Sequence, residues 1–498
     1  MLSRVKTTLK DSAIYSLGNF STKIVGLILI PLYTSELTVE EFGILSILEI
    51  TLQVLIAVFS VSVYQAFNRW YWDKNYSQRR KSIFFTALIF VTLVSLIMVL
   101  LLFVFSDSLS GVLLNSKRYY YLIQVMGLSA ALQIVARIPL TLMLLERQAF
   151  LFSASNILKL ITSLFFTIYF IVHLDRNVEA IFEAQIIGFV VFFIFNIKYI
   201  YRRIKIHFEV DILKEMLLYS SPLMFSSVAG ILLTVADRYT IRFLGNLNEV
   251  GIYSLGFKIA NVLKIFLINS LFNALNPLKF RLMDQPDRFR FYSKSLTYST
   301  FIFVIFLMGI SFFSKEIVRL LAQKEEFWSA YQIIPILCFA QLFELLRRSV
   351  MFGLVLKKKS KIISAITVLV SIINILFNLL FIYLWGPIGA AIATLIAQIL
   401  FFYLMNHYAQ KYSYIPYEYK KVYTIMAVII VLTVLAFSLN PISLAIRLPF
   451  KILLLISFPF ILYLLKFYEP VELRTIKQSF HKWKNPGKWL ENIKNIKM

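Results

Sequence analysis

Apolar stretches of about twenty residues recur along the whole chain, each closed by a short polar or charged segment. A helix needs about twenty residues to cross the hydrocarbon core of a bilayer. On that measure the pattern predicts fourteen spans, roughly 12–32, 42–65, 83–105, 119–145, 150–172, 179–197, 215–236, 250–275, 295–313, 329–356, 362–384, 387–406, 422–439 and 444–465. Lipid offers no partner for backbone amides, so such spans must be helices. The expected fold class is therefore all-α, a polytopic membrane protein of about 14 transmembrane helices. The first span follows MLSRVKTTLKDS without a small-residue cleavage site, and reads as an uncleaved helix.

The pattern also repeats. Glu41-Phe42-Gly43-Ile44-Leu45-Ser46 aligns with Glu249-Val250-Gly251-Ile252-Tyr253-Ser254, and Tyr15-Ser16 with Tyr219-Ser220. Further on, Arg69 aligns with Lys279, Arg80 with Arg290, Arg137 with Arg347 and Arg147 with Lys357. The offset stays near 204 to 210 residues across six spans. Six spans per unit is even, so both units share one orientation and form parallel repeats about an axis normal to the membrane. The expected organisation is an N-terminal lobe at 1–205 and a C-terminal lobe at 206–410. Two further helices follow at 411–466, and a basic cytoplasmic tail at 467–498.

Composition adds direction to this picture. The 498 residues are 59% hydrophobic with a net charge of +25. Of the 51 Lys and Arg, 34 fall in the N-tail, the even-numbered loops and the C-tail. The positive-inside rule places those segments and both termini in the cytoplasm. Seven cations fall inside spans: Lys23, Arg137, Lys159, Lys258, Lys264, Arg347 and Arg348. Each costs roughly 2.5–3.5 kcal/mol at mid-membrane on insertion scales, so they point to a watery or ion-paired interior.

Several functions are excluded by what is missing. There is no GxxxxGK[ST] phosphate loop, no GxSxG elbow and no Asp-x-Asp pair. Cys338 is the one cysteine, and the four histidines have no ligand spacing, so no metal and no cofactor is expected. The loops on the non-cytoplasmic side are too short to carry a catalytic domain, and the chain is read as no enzyme. The basic excess belongs to the membrane topology, with no nucleic acid as partner.

Polar stripes carry the candidate chemistry. Ser16, Asn19, Lys23 and Gly26 share a face of the first span, and Ser227, Gly230, Thr234 and Asp237 share one of the seventh at the same spacing. In the eighth span Lys258, Asn261, Asn269, Asn273 and Asn276 share a face at 100° per residue, with Lys264 off it. Small and amide residues on such faces serve helix packing equally well. Lys23, Arg137 and Lys258 have no acid within one turn and are assigned to a cavity, with Arg347 as repeat mate of Arg137. Asn261 and Asn269 complete the predicted substrate-binding set. Glu344 reaches Arg347 and Arg348 at i+3 and i+4, which predicts an ion-paired group. Asp237 and Arg238 fall at the predicted end of the seventh span, where a gate or loop-anchoring pair and a ligand site are equally expected. Lys159 and Lys264 are read as interfacial or structural. Positive charge beside amides suits an anionic, sugar-bearing substrate.

The stretches KDSAIYSLGNFSTKIVGLILIPLYTSELTVEEFGILS and VADRYTIRFLGNLNEVGIYSLGFKIANVL resemble bacterial polysaccharide-precursor flippases of the Wzx type. That group, the polysaccharide biosynthesis family, lies in the multidrug/oligosaccharidyl-lipid/polysaccharide (MOP) exporter superfamily. The resemblance covers essentially the whole chain. It implies two parallel six-helix lobes plus two C-terminal helices, and alternating access around a cationic central cavity. Lys23, Asp237, Arg238 and Lys258 match the family's charged positions. The implied substrate is undecaprenyl-pyrophosphate-linked oligosaccharide in the cytoplasmic membrane. Implied partners are membrane lipids and the polysaccharide polymerase and chain-length machinery. A cation-coupled antiporter of the MATE type is the alternative, disfavoured by the scarcity of carboxylates in the early spans.

Overall fold

A computed structural model describes residues 26–474. Among these residues there is no strand, and twelve helices are long and apolar enough to cross a membrane. The predicted span 12–32 and the tail beyond 474 lie mostly or wholly outside the described residues. The described end of the first helix, α1, occupies 26–36. Next, α2 (Val39–Phe59) and α3 (Val63–Tyr71) make one crossing that bends between them, where Val61 and Ser62 take φ of 45° and 52°. Then come α4 (Arg80–Val104), α5 (Ser106–Leu114), α6 (Tyr120–Leu145), α7 (Ala149–His173) and α8 (Val178–Tyr201).

The second half opens with α9 (Val210–Leu244), followed by α10 (Leu247–Ala260) and α11 (Asn269–Arg281). A π-helical turn, Lys264–Ile268, separates the last two. Beyond them lie α12 (Arg288–Phe312), α13 (Ser314–Leu321), α14 (Ile333–Leu356), α15 (Ser360–Tyr412), α16 (Tyr419–Ser438) and α17 (Leu444–Leu464). At 53 residues α15 is too long for one crossing. Gly386, at φ 56° and ψ −136°, breaks it into the two predicted spans, and Pro387 starts the second arm. Only glycine adopts that backbone readily.

The two repeated EFG/EVG segments meet. Thr38 caps α2, accepting from Glu41 N, while the Glu41 side chain accepts from Thr38 N in return. Asn246 caps α10 by accepting from Glu249 N. One turn in, α2 and α10 cross backbone to backbone. A Cβ built on Gly43 would lie 1.9 Å from the Leu247 carbonyl oxygen, and one on Gly251 would lie 2.3 Å from that of Val39. Each repeat thus places its glycine against the other's first helical turn, and only small residues let membrane helices approach so closely. Lower on α2, Thr51 and Tyr239 of α9 share a hydrogen bond of 2.8 Å.

Away from this crossing, α2 to α8 pack largely on one another, and α12, α14 and α15 on one another and on α9 and α10. The last two helices pack against α12. Arg447 and Lys451 of α17 reach Glu316 of α13 at 2.7 and 2.9 Å, and Lys451 is fully buried. At the other end Lys294 and Lys421 bind Glu418 and Glu469.

Candidate functional site

Between α1, α2, α6, α7, α8, the end of α10 and the π-turn lies a cavity of about 740 Å³. Two cations face it, Lys159 and Lys258, along with Glu49 and the amides Gln53, Gln133, Gln185 and Asn261. Lys258 Nζ lies 2.9 Å from Glu49 Oε2, a pair that ties α10 to α2 across the repeat. Lys159 has no carboxylate partner among the described residues. Its Nζ sits 4.7 Å from the Phe189 ring centre and 3.4 Å from Asn156 Oδ1. With two lysines and one glutamate, the wall carries a net positive charge on an otherwise amide and apolar lining. Ammonium groups and amides are the donors that phosphate oxygens and sugar hydroxyls accept from.

A second ionic group sits between α14 and the π-turn. Glu344 is 5% exposed. It holds Arg348 at 2.6 Å, Lys264 at 3.0 Å and Arg347 at 3.9 Å. Arg348 also donates to Asn269 Oδ1 at 3.2 Å, and the Arg347 guanidinium lies 4.1 Å from the Phe401 ring centre. The predicted Glu344–Arg347–Arg348 trio is therefore present, with Lys264 added.

These features can be set beside known proteins. The family model described as polysaccharide biosynthesis protein matches residues 8–283, more than half of the chain. The chain belongs to the polysaccharide biosynthesis protein family. Among solved structures this family member is similar to the lipid II flippase MurJ in its inward closed conformation. The TM-score is 0.71 at 17% identity, covering 91% of this chain and 99% of that one. It is also similar to an inward-facing multidrug resistance MATE family transporter of the MOP superfamily, at TM-score 0.59 and 16% identity, over 80% and 95% of the two chains. The bent form of the Vibrio cholerae MATE transporter VcmN gives 0.51 at 14% identity, over 82% and 99%. No curated protein matches by sequence. Identities this low carry the fold alone. The fold is the one seen in that flippase and those transporters, in line with the sequence resemblance.

Within this polysaccharide biosynthesis protein the predicted site residues separate into four places. Lys258 and Asn261 line the cavity. Asn269 and Arg347 do not; they belong to the Glu344 group. The π-turn is the reason, because its wider turns rotate everything after Lys264 away from a wheel drawn at 100° per residue. Arg137 is exposed on α6, stacked 3.7 Å from the Tyr64 ring centre, outside the cavity lining. Lys23 lies outside the described residues.

Asp237 and Arg238 do not end a helix, as the hydropathy window predicted. They lie inside the 35-residue α9, two turns before its end. Asp237 is 6% exposed and accepts from Tyr253 Oη at 2.5 Å and from Arg238 N at 2.8 Å. Arg238 donates to Thr234 O and covers the Phe257 ring at 4.1 Å. Pairing lets the helix run on through two charged residues, and the pair fixes α9 to α10. The sequence puts Glu49 and Gln53 on a polar stripe of the second span without assigning them to the site, reads Lys159 as interfacial or structural, and leaves Gln133 and Gln185 unmarked. Lys159 shares a helix face with Asn156, Ser163 and Thr167, a stripe that would have flagged it.

Proposed function

We propose that this protein flips an undecaprenyl-pyrophosphate-linked oligosaccharide across the cytoplasmic membrane, in surface polysaccharide biosynthesis, by alternating access. The observation that carries this reading is the 740 Å³ cavity with a Lys159 that has no carboxylate partner among the described residues, a Glu49-paired Lys258 and four amides. The pyrophosphate binds Lys159 and competes with Glu49 for Lys258. That exchange of counter-ions frees α2 from α10, so anion binding loosens the crossing that must part. Lys23, which lies outside the described residues, keeps its sequence-based assignment as a further cation for the pyrophosphate. The glycan meets Gln53, Gln133, Gln185 and Asn261, and the polyprenyl tail stays in lipid.

In this reading the lobes are 1–205 and 206–410, 411–466 holds the last two spans, and 467–498 is the tail. Both termini face the cytoplasm, and the product passes to polymerase and chain-length proteins on the outer face. The family match and the MurJ-like fold support flipping of a lipid-linked cargo. Lys159→Ala and Lys258→Ala should each abolish complementation of surface polysaccharide in a flippase-null strain while remaining in the membrane. Wild-type complementation by both variants would sink the assignment.

One feature favours a second reading. Glu49 is a carboxylate in the cavity, 36% exposed at its side chain, and a cation-coupled antiporter of the MATE type would use such a group. Efflux of cationic drugs by expressing cells, lost in Glu49→Gln, separates that reading from lipid-linked cargo.

A further inference from the structure

A second, more polar cavity of about 400 Å³ lies beside the glycine crossing. One wall is the connector after α5, with Asn115, Ser116 and Arg118; the other is the turn from α9 to α10, with Arg242 and Asn246. Glu40, at the start of α2, also reaches it. Arg242 is 8% exposed and has no carboxylate partner among the described residues. Its Nε donates to Leu113 O at 2.7 Å, which fixes the guanidinium plane. Its two terminal nitrogens meet no acceptor among the described residues and remain for a ligand. Arg118 stands on the facing wall, held by the Tyr119 hydroxyl at 2.6 Å.

The first turn of α10 adds Leu247 and Asn248, whose backbone amides have no acceptor within the helix by their position. A helix N-terminus of this kind favours a negative group. A buried guanidinium with free donors, a second arginine opposite and these amides converge on one space. Planar guanidinium forks match phosphate and carboxylate oxygens in pairs. Glu40 sets a limit, because it opposes a strongly charged guest.

We infer that this cavity is an oxyanion site, distinct from the substrate cavity, that takes a phosphate or carboxylate group and bridges the two halves of the chain. A bound oxyanion would join residues 113–119 to residues 242–248, and so hold the arrangement in which α2 and α10 cross. The chemistry is shared by free phosphate, an acidic sugar and an anionic lipid headgroup.

The test is thermal unfolding of the full-length protein in neutral detergent at constant ionic strength. Inorganic phosphate and glucuronate are titrated against chloride, and phosphatidylglycerol nanodiscs are compared with phosphatidylcholine. A saturable rise in Tm with phosphate or glucuronate identifies a soluble oxyanion. A rise confined to phosphatidylglycerol identifies a headgroup.

Arg242→Gln should weaken the response roughly tenfold, as expected for loss of a charge-assisted bond. Arg118→Gln, on an exposed residue, should do the same if Arg242→Gln fails to fold. Glu40→Gln should strengthen the response several-fold, a gain that a merely structural role would not give. An unchanged response in Arg118→Gln, a weaker one in Glu40→Gln, loss of the response in Lys159→Ala, or no rise with any of the three anions would overturn the proposal.

Discussion

The residue that organises most charge in the second half is Glu344. It is the shared counter-ion of Lys264, Arg347 and Arg348 within the membrane, so its removal leaves three cations without their one negative charge. Breaking a buried ion-paired group by deleting one partner costs about 3–5 kcal/mol. Glu344→Gln should therefore lower the Tm of the purified protein markedly. Glu344→Gln combined with Arg348→Gln should recover part of the loss, and equal Tm values for wild type and Glu344→Gln would refute the role. This group was half legible in the sequence, because i+3 and i+4 spacing is local. Lys264 joins from another helix, and no local rule reveals such a contact. The same blindness hid the Lys258–Glu49 pair, whose partners lie 209 residues apart. The Asp237–Arg238 pair misled in the opposite way. A hydropathy window counts two charges where the helix carries a neutralised pair.

At the scale of the element, the repeat was the most informative sequence signal. The EFG and EVG segments marked the repeat in the sequence, and in the structure they are the crossing itself. Their glycines oppose the first turns of the partner helices, with no room for a Cβ unless something shifts. Gly251→Val should push α10 off α2. The check is a Val39→Cys, Leu247→Cys pair. The single native cysteine, Cys338, is buried and does not compete. The pair should cross-link readily on the wild-type background and several-fold more slowly with Gly251→Val; equal rates would refute the close contact. The stripe in the eighth span was readable only up to Lys264. A π-turn inserts no signature residue, so a wheel drawn on ideal geometry fails silently beyond it. Bends at Gly386-Pro387 were visible because those residues constrain the backbone directly.

For the whole molecule, the sequence disclosed the all-α membrane class but not how the last two helices are fastened. They are tied by ionic clusters at both ends, Glu316 with Arg447 and Lys451, and Glu418 and Glu469 with Lys294 and Lys421. Hydrogen bonds from Lys294, then Lys421, hold the Glu469 carboxyl down to about 2. A carboxyl depressed in the folded state adds stability that is complete above its unfolded value, about 4.3. That contribution is lost as pH falls from there toward about 2. The Tm should thus fall across pH 4 to 2, and Glu469→Gln should flatten this part of the profile. A profile unchanged by Glu469→Gln would show that the cluster does not set acid stability.

The glycine crossing also has an energetic consequence. Under the alternating-access reading proposed above this seam has to part, and the cycle then requires joined and parted forms close in free energy. Near such a balance a guest needs only a modest preference for one form to move most molecules into it. Driving a population from 1:99 to 99:1 would demand about a 10⁴-fold preference, whereas a near-equal starting mixture needs about a hundredfold. In that reading the population moves through the cargo's differential contacts with Lys159 and Lys258 in the two forms.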